Sequence, residues 1–178
     1  MLNATTATGT TAIGTQALDA LTTGAQNTAL GASALGASTT ASYNTAVGAS
    51  ALVVNTTGAQ NTAVGSFSLQ SNTTGSPNTA LGYDALGDNT TAAGNTAVGW
   101  SSLSKTTTGY ANTAVGQSAL TANTTGFSNV AFGHNTLDAS TTGDNNTALG
   151  KSALSSNTTA DSNTAVGTSA LFTNTTGA

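Results

Sequence analysis

Asn44-Thr45-Ala46-Val47-Gly48 is a clear copy of a five-residue motif that recurs every 17 residues along the chain. Further copies begin at residues 27, 61, 78, 95, 112, 129, 146 and 163, and a weaker copy begins at residue 10. The spacing never varies, and the ten copies fill the 178 residues. A constant period of this length is typical of a solenoid, in which each repeat forms one turn stacked on the last.

Numbering each repeat from the first residue of the motif gives 17 columns, and several columns hold a single residue type. Column 3 is always Ala, column 4 is aliphatic or aromatic, and columns 13 and 14 are Thr-Thr. Column 9 is always Leu, which predicts a core ladder of Leu18, Leu35, Leu52, Leu69, Leu86, Leu103, Leu120, Leu137, Leu154 and Leu171. Column 5 is always Gly, which predicts turns with positive φ at Gly14, Gly31, Gly48, Gly65, Gly82, Gly99, Gly116, Gly133, Gly150 and Gly167.

Short strands fit the repeat better than helices do. Thr, Asn, Gly and Val disfavour helix, and the apolar residues follow no helical spacing. We therefore predict an all-β chain, a parallel β-solenoid (β-roll or β-helix) of ten 17-residue rungs, forming a single domain over 1–178 with uncapped ends. Columns 3, 4, 8 and 9 supply a thin core, so we expect the rods to associate as a trimer or a stacked filament.

Composition excludes several classes of function. Charged residues make up 4% of the chain, against about 25% in an average soluble domain. The only basic residues are Lys105 and Lys151, so nucleic-acid binding is not expected. No apolar run reaches the roughly 20 residues of a membrane helix, so membrane insertion is not expected either. The chain has no Cys, and therefore neither disulfides nor thiolate sites.

The pattern Asn-Thr-Ala-Val-Gly-x-x-Ala-Leu resembles the head repeat of YadA-like trimeric autotransporter adhesins. It resembles even more closely the related repeats of phage and bacterial tail-fibre-type proteins. This resemblance covers nearly the whole chain. It implies a parallel β-roll or β-helix, usually trimeric, that is exposed on a cell or virion and used for attachment.

The Asn and Thr columns suggest two surface functions, N-glycosylation and ice binding. Column 12 carries Asn-Thr-Thr sequons, which predict N-glycosylation at Asn55, Asn72, Asn89, Asn123, Asn157 and Asn174, with chance copying of the motif by the repeat as the alternative. The Thr-Thr columns raise ice binding as a minor alternative. Adjacent residues of a strand face opposite sides, however, so the pair supplies only one outward Thr column.

Catalytic or metal-binding clusters are not evident. His134 is the only histidine and could be grouped with Asp138 and Asp144, but its variable column predicts a solvated side chain. The carboxylates are scattered over different repeats and form no calcium-binding pattern. We therefore predict that the chain is not an enzyme and has no metal or cofactor.

The expected function is mechanical. We predict an extracellular fibre or filament protein at a cell or virion surface, whose main partner is another copy of itself. The alternative is a receptor-binding segment of a trimeric adhesin or tail fibre. Aromatic residues in variable columns, such as Tyr83, Trp100, Tyr110 and Phe127, could stack on glycans or fill contacts between chains.

Overall fold

The computed structural model describes residues 6–177 and contains one parallel sheet of ten three-residue strands. The strands are β1 (Thr11–Ile13), β2 (Thr28–Leu30), β3 (Thr45–Val47), β4 (Thr62–Val64), β5 (Thr79–Leu81), β6 (Thr96–Val98), β7 (Thr113–Val115), β8 (Val130–Phe132), β9 (Thr147–Leu149) and β10 (Thr164–Val166). They pair in chain order, and each residue lies opposite the residue 17 positions later. The predicted all-β parallel solenoid is confirmed, and the described residues contain no helix.

The contacts between successive turns are nearly identical along the sheet. The column 2 amide donates to the column 1 carbonyl of the next repeat at 2.8–2.9 Å, from Thr11 to Thr147. The column 5 Gly amide donates to the column 4 carbonyl of the preceding repeat at 2.7–2.8 Å, from Gly31 to Gly167. Since each strand has only three residues, these flanking bonds fix the register that the 17-residue period sets.

Left-handed backbone conformations turn the chain at defined columns. In the fourth repeat Gly65 has φ 135°, and Phe67 and Leu69 have φ 62° and 49°. All ten predicted turn glycines have positive φ, between 124° and 143°. The ten ladder leucines share φ 49–52°. Left-handed φ costs an ordinary residue about 1–2 kcal/mol, whereas complete burial of a Leu side chain gains about 1.5–3 kcal/mol. Burial therefore offsets the strain at column 9.

The core is a narrow stack of Leu and Ala. The column 9 leucines from Leu18 to Leu154 are fully buried, and so are the column 3 alanines from Ala29 to Ala148. Leu171, in the last described repeat, is 51% exposed because no further turn lies on it. Each turn thus buries its neighbour's core residues, as the solenoid arrangement requires.

Column 4 does not belong to the core, which corrects the sequence-based assignment. Seven of its ten side chains are exposed, from 38% at Val64 to 67% at Val166, and the other three are half-buried. The reason is that side chains alternate along a strand, so the inward Ala of column 3 forces columns 2 and 4 outward. The apolar core is therefore made of Leu and small residues, without the predicted second aliphatic ladder.

Candidate interaction surfaces

The sequon asparagines lie inside the rod. Asn55, Asn72, Asn89, Asn123 and Asn157 are all 0% exposed, and only Asn174, in the last described repeat, is partly accessible. Their amides donate to the carbonyl three residues later, as Asn55 does to Gly58 at 2.9 Å. A glycan on any of the five would have to pass through the packed turns. The expected exposure of these five side chains is therefore wrong, whereas glycosylation at the six sequons stays a prediction.

The buried column 12 asparagines form a hydrogen-bonded ladder instead. Asn72 Nδ2 donates to Asn55 Oδ1 at 2.9 Å, and Asn89 Nδ2 donates to Asn72 Oδ1 at 2.7 Å. The ladder is interrupted where the next repeat has Thr106 or Ser140. Asn89 Oδ1 and Asn123 Oδ1, just before these two positions, are buried without a hydrogen-bond partner. Each interruption leaves an acceptor that a longer side chain would have satisfied.

A second ladder runs through the column 1 asparagines and closes each turn. Asn44 Nδ2 donates to the carbonyl of Gly58, 14 residues later in the same repeat, at 2.9 Å. Asn44 Oδ1 accepts the backbone amide of Asn61 in the next repeat at 2.9 Å. The same side chain therefore ties one turn together and joins it to its neighbour, which explains why buried Asn is tolerated here.

The possible triad is not assembled. The His134 side chain is exposed, and the two nearby carboxylates bond elsewhere. Asp138 Oδ1 accepts from Ser155 Oγ at 2.6 Å, and Asp144 Oδ1 accepts from the Phe127 amide at 2.9 Å. Within residues 6–177 no group of three or more His, Asp or Glu side chains is placed to hold a metal ion.

The outer face of the sheet is a regular surface that the sequence analysis did not identify. We define this outer face as the side chains of columns 2 and 4 on β1–β10. Column 2 is Thr except at Val130, and its ten side chains are exposed or half-buried. Columns 1–5 contain no charged residue in any repeat. The invariant Ala of column 3 was the available signal, because a small inward residue directs both neighbours outward.

Seven aromatic side chains of the described residues are exposed, and four of them lie on the fourth to sixth repeats. Phe67 and Tyr83 meet edge to face with ring centroids 5.6 Å apart, and the Trp100 side chain is exposed one repeat beyond Tyr83. Tyr110 and Phe127 stack with centroids 5.0 Å apart. These pairs join neighbouring repeats, and each leaves aromatic surface open to solvent.

Three charged side chains, those of Asp84, Asp88 and Lys105, interact on the surface. Lys105 Nζ lies 3.0 Å from Asp88 Oδ2, and this contact raises the pKa of Lys105. Partial burial raises the pKa of Asp84, and repulsion from Asp88 raises it further. Lys105 and a hydrogen bond from Ser101 act in the opposite direction on Asp84. These groups form a local electrostatic cluster on the fifth and sixth repeats.

No protein-family model, curated protein or solved structure matches the chain. The region the structure describes includes no helix with the length and apolar character needed to cross a membrane.

Proposed function

We propose that this chain is a structural rod, a fibre or filament segment that acts outside the cell, on a cell or virion surface. The observation that carries the proposal is the uniformity of the stack. One turn is repeated with the same register and nearly the same hydrogen bonds from β1 to β10. A chain built this way gains length with every repeat, and its nearly identical turns do not gather reactive side chains into one site. On this proposal the protein is not an enzyme.

Self-association is the second part of the proposal. Each inner strand pairs in the same register with a nearly identical strand on either side, as β4 does with β3 and β5. The edge of one turn is therefore complementary to the edge of any other copy of the repeat. Stacking in the same direction continues the existing ladders, so the partner that fits best is another copy of the repeat.

Small-angle X-ray scattering together with sedimentation velocity tests this proposal. A rod of ten rungs spaced about 4.8 Å apart has a long axis of roughly 50 Å. We expect an elongated particle at low concentration and end-to-end growth as concentration rises. A compact particle would overturn the rod, whereas a rod that stays monomeric at high concentration would overturn self-association alone.

Receptor binding is a second candidate function, favoured by the exposed aromatic pairs. Aromatic faces stack on the apolar faces of sugar rings, so a surface glycan is the expected receptor class. Screening the chain against immobilised glycans, with Trp100→Ala and Tyr110→Ala as variants, tests this function. Retention that both substitutions abolish would support it. The absence of retention, or retention that both variants keep, would exclude this surface.

A further inference from the structure

We propose that the outer face of the sheet binds ice, through the ordered array of column 2 hydroxyl and methyl groups and column 4 aliphatic groups. This activity goes beyond the structural role and rests on different observations. They are the chemistry of the face, its periodicity, and its area relative to a protein interface.

The periodicity of the outer face follows from the sheet. Neighbouring strands are about 4.8 Å apart, and columns 2 and 4 are two residues apart, or about 6.6 Å. The near-constant hydrogen bonds at both ends of the strands maintain this spacing over all ten repeats. Oxygen atoms on the faces of an ice crystal are separated by distances of similar size. A regular array can therefore meet an ordered water layer at many points together.

The chemistry of the outer face suits ordered water. Each Thr hydroxyl offers one donor and two acceptor positions. Column 4 places an aliphatic side chain, or Phe132 in the eighth repeat, on the same face. No charged side chain in columns 1–5 disturbs the water layer. The column 13 hydroxyls differ because they bond within the rod, as Thr56 Oγ1 does to the Thr73 carbonyl at 3.2 Å. Column 14 is exposed in every repeat but forms only a single row.

The area of the outer face argues against a second protein copy as its occupant. Ten strands of three residues give a strip about 10 Å wide and about 500 Å² in projection, which is narrow for an interface that must bury about 800 Å² of accessible surface on each partner. Docking another protein there would also desolvate a row of Thr hydroxyls, at about 1–3 kcal/mol for each one left unpaired. Ice avoids this cost because its surface supplies a hydrogen-bonding group at each hydroxyl.

Thermal hysteresis of the full chain, measured on a single ice crystal, tests the proposal. The test variant is Thr79→Tyr/Thr96→Tyr, which places two bulky rings on the outer face while keeping residues that favour strands. The matched control is Thr74→Tyr/Thr91→Tyr, which makes the same changes on the exposed column 14. Circular dichroism melts of all three proteins establish that each is folded.

We expect arrested ice growth for the wild type and the control, and loss of arrest for the outer-face variant. A folded wild type without hysteresis would overturn the proposal, and so would an equal loss in both variants. A wild-type dimer that the outer-face variant dissociates, with no hysteresis, would assign the face to a second copy. Rod length is measured separately by scattering, so this proposal and the structural role can fail independently.

Discussion

At the scale of single residues, the column 5 glycines and the column 9 leucines turn the chain through positive φ angles. Gly65 has a φ that disfavours side chains, and a Cβ there would overlap the carbonyl of Gly82 in the next turn. Gly167 has a similar φ, but a Cβ there would meet no atom within 4 Å. Comparing these two glycines therefore distinguishes the cost of backbone strain from the cost of the close contact between two turns.

Substituting Ala at these two glycines tests that separation. We expect Gly167→Ala to cost about 1–3 kcal/mol from its φ alone. Gly65→Ala should cost distinctly more, because the two turns must also move apart. Urea unfolding monitored by circular dichroism measures both changes. Equal losses would mean that the contact with Gly82 adds nothing to the strain.

Asp84 predicts a dependence of stability on pH. Because its pKa is raised in the folded protein, the ionised carboxylate destabilises the fold near neutral pH, and stability recovers as the pH falls through its titration. Asp84→Asn removes that cost and keeps a residue that tolerates the observed φ of 56°.

We therefore expect Asp84→Asn to melt at a higher temperature than the wild type at pH 7. The difference should shrink as the pH falls from the raised pKa of the folded carboxyl group to the pKa of the unfolded one, and it should be smallest below the latter. Asp88 and Lys105 remain in both proteins, so the comparison isolates Asp84. A melting-temperature difference that stays constant from pH 7 to pH 3 would contradict this assignment.

At the scale of the strand and its ladders, the sequence predicted the strands and turns, but not always whether a side chain faces the core or the solvent. The invariant glycines and leucines indicated the turns and the core directly. Column 4 was misassigned because an aliphatic residue suggests burial, although alternation beside the inward Ala97 directs Val98 outward. The sequon asparagines were wrongly expected on the surface, because the Asn-Thr-Thr motif carries no information on burial. Asn55 is buried because its amide completes hydrogen bonds that the turn requires.

The gaps in the column 12 ladder predict stabilising substitutions. Ser140→Asn would place an amide where Asn123 Oδ1 now has no partner, beside a glycine at column 15 as in intact parts of the ladder. Satisfying this buried acceptor should stabilise the protein by about 1–3 kcal/mol. Ser140→Ala is the control, since it leaves Asn123 Oδ1 without a partner and removes the Ser140 hydroxyl, which is also buried without a hydrogen bond.

Chemical denaturation of both Ser140 variants measures the gain. Stabilisation by Ser140→Asn beyond that of Ser140→Ala would attribute the excess to the completed ladder. If the Asn variant were no more stable than the Ala variant, Oδ1 of Asn123 would already be satisfied in solution. Thr106→Asn provides an independent repetition at the other gap, next to Asn89.

For the whole molecule, the interchangeable turns predict that complete repeats can be removed. Deleting 79–95 takes out 17 residues and joins Asn78 to Thr96, which restores the motif. We expect a folded rod shorter by about 4.8 Å, because stability in such a stack is roughly additive over repeats. Scattering measures the length, and circular dichroism measures the fold.

The control deletion, 79–87, removes half a repeat and places Leu and Ala columns out of register. It should abolish cooperative unfolding. A control that folded as well as the full-repeat deletion would show that the 17-residue register is not what holds the rod together.

The asparagine ladders also give the rod a direction. Along column 12, Asn89 donates to Asn72 and Asn72 donates to Asn55, so these side-chain hydrogens point toward the start of the chain. The column 13 hydroxyls donate the opposite way, as Thr56 Oγ1 does to the Thr73 carbonyl, so the two ends of any such segment expose different groups at the same columns. Two rods meeting head to head would set like groups against each other, so a fibre assembled from them would be a vectorial polymer with every subunit pointing the same way.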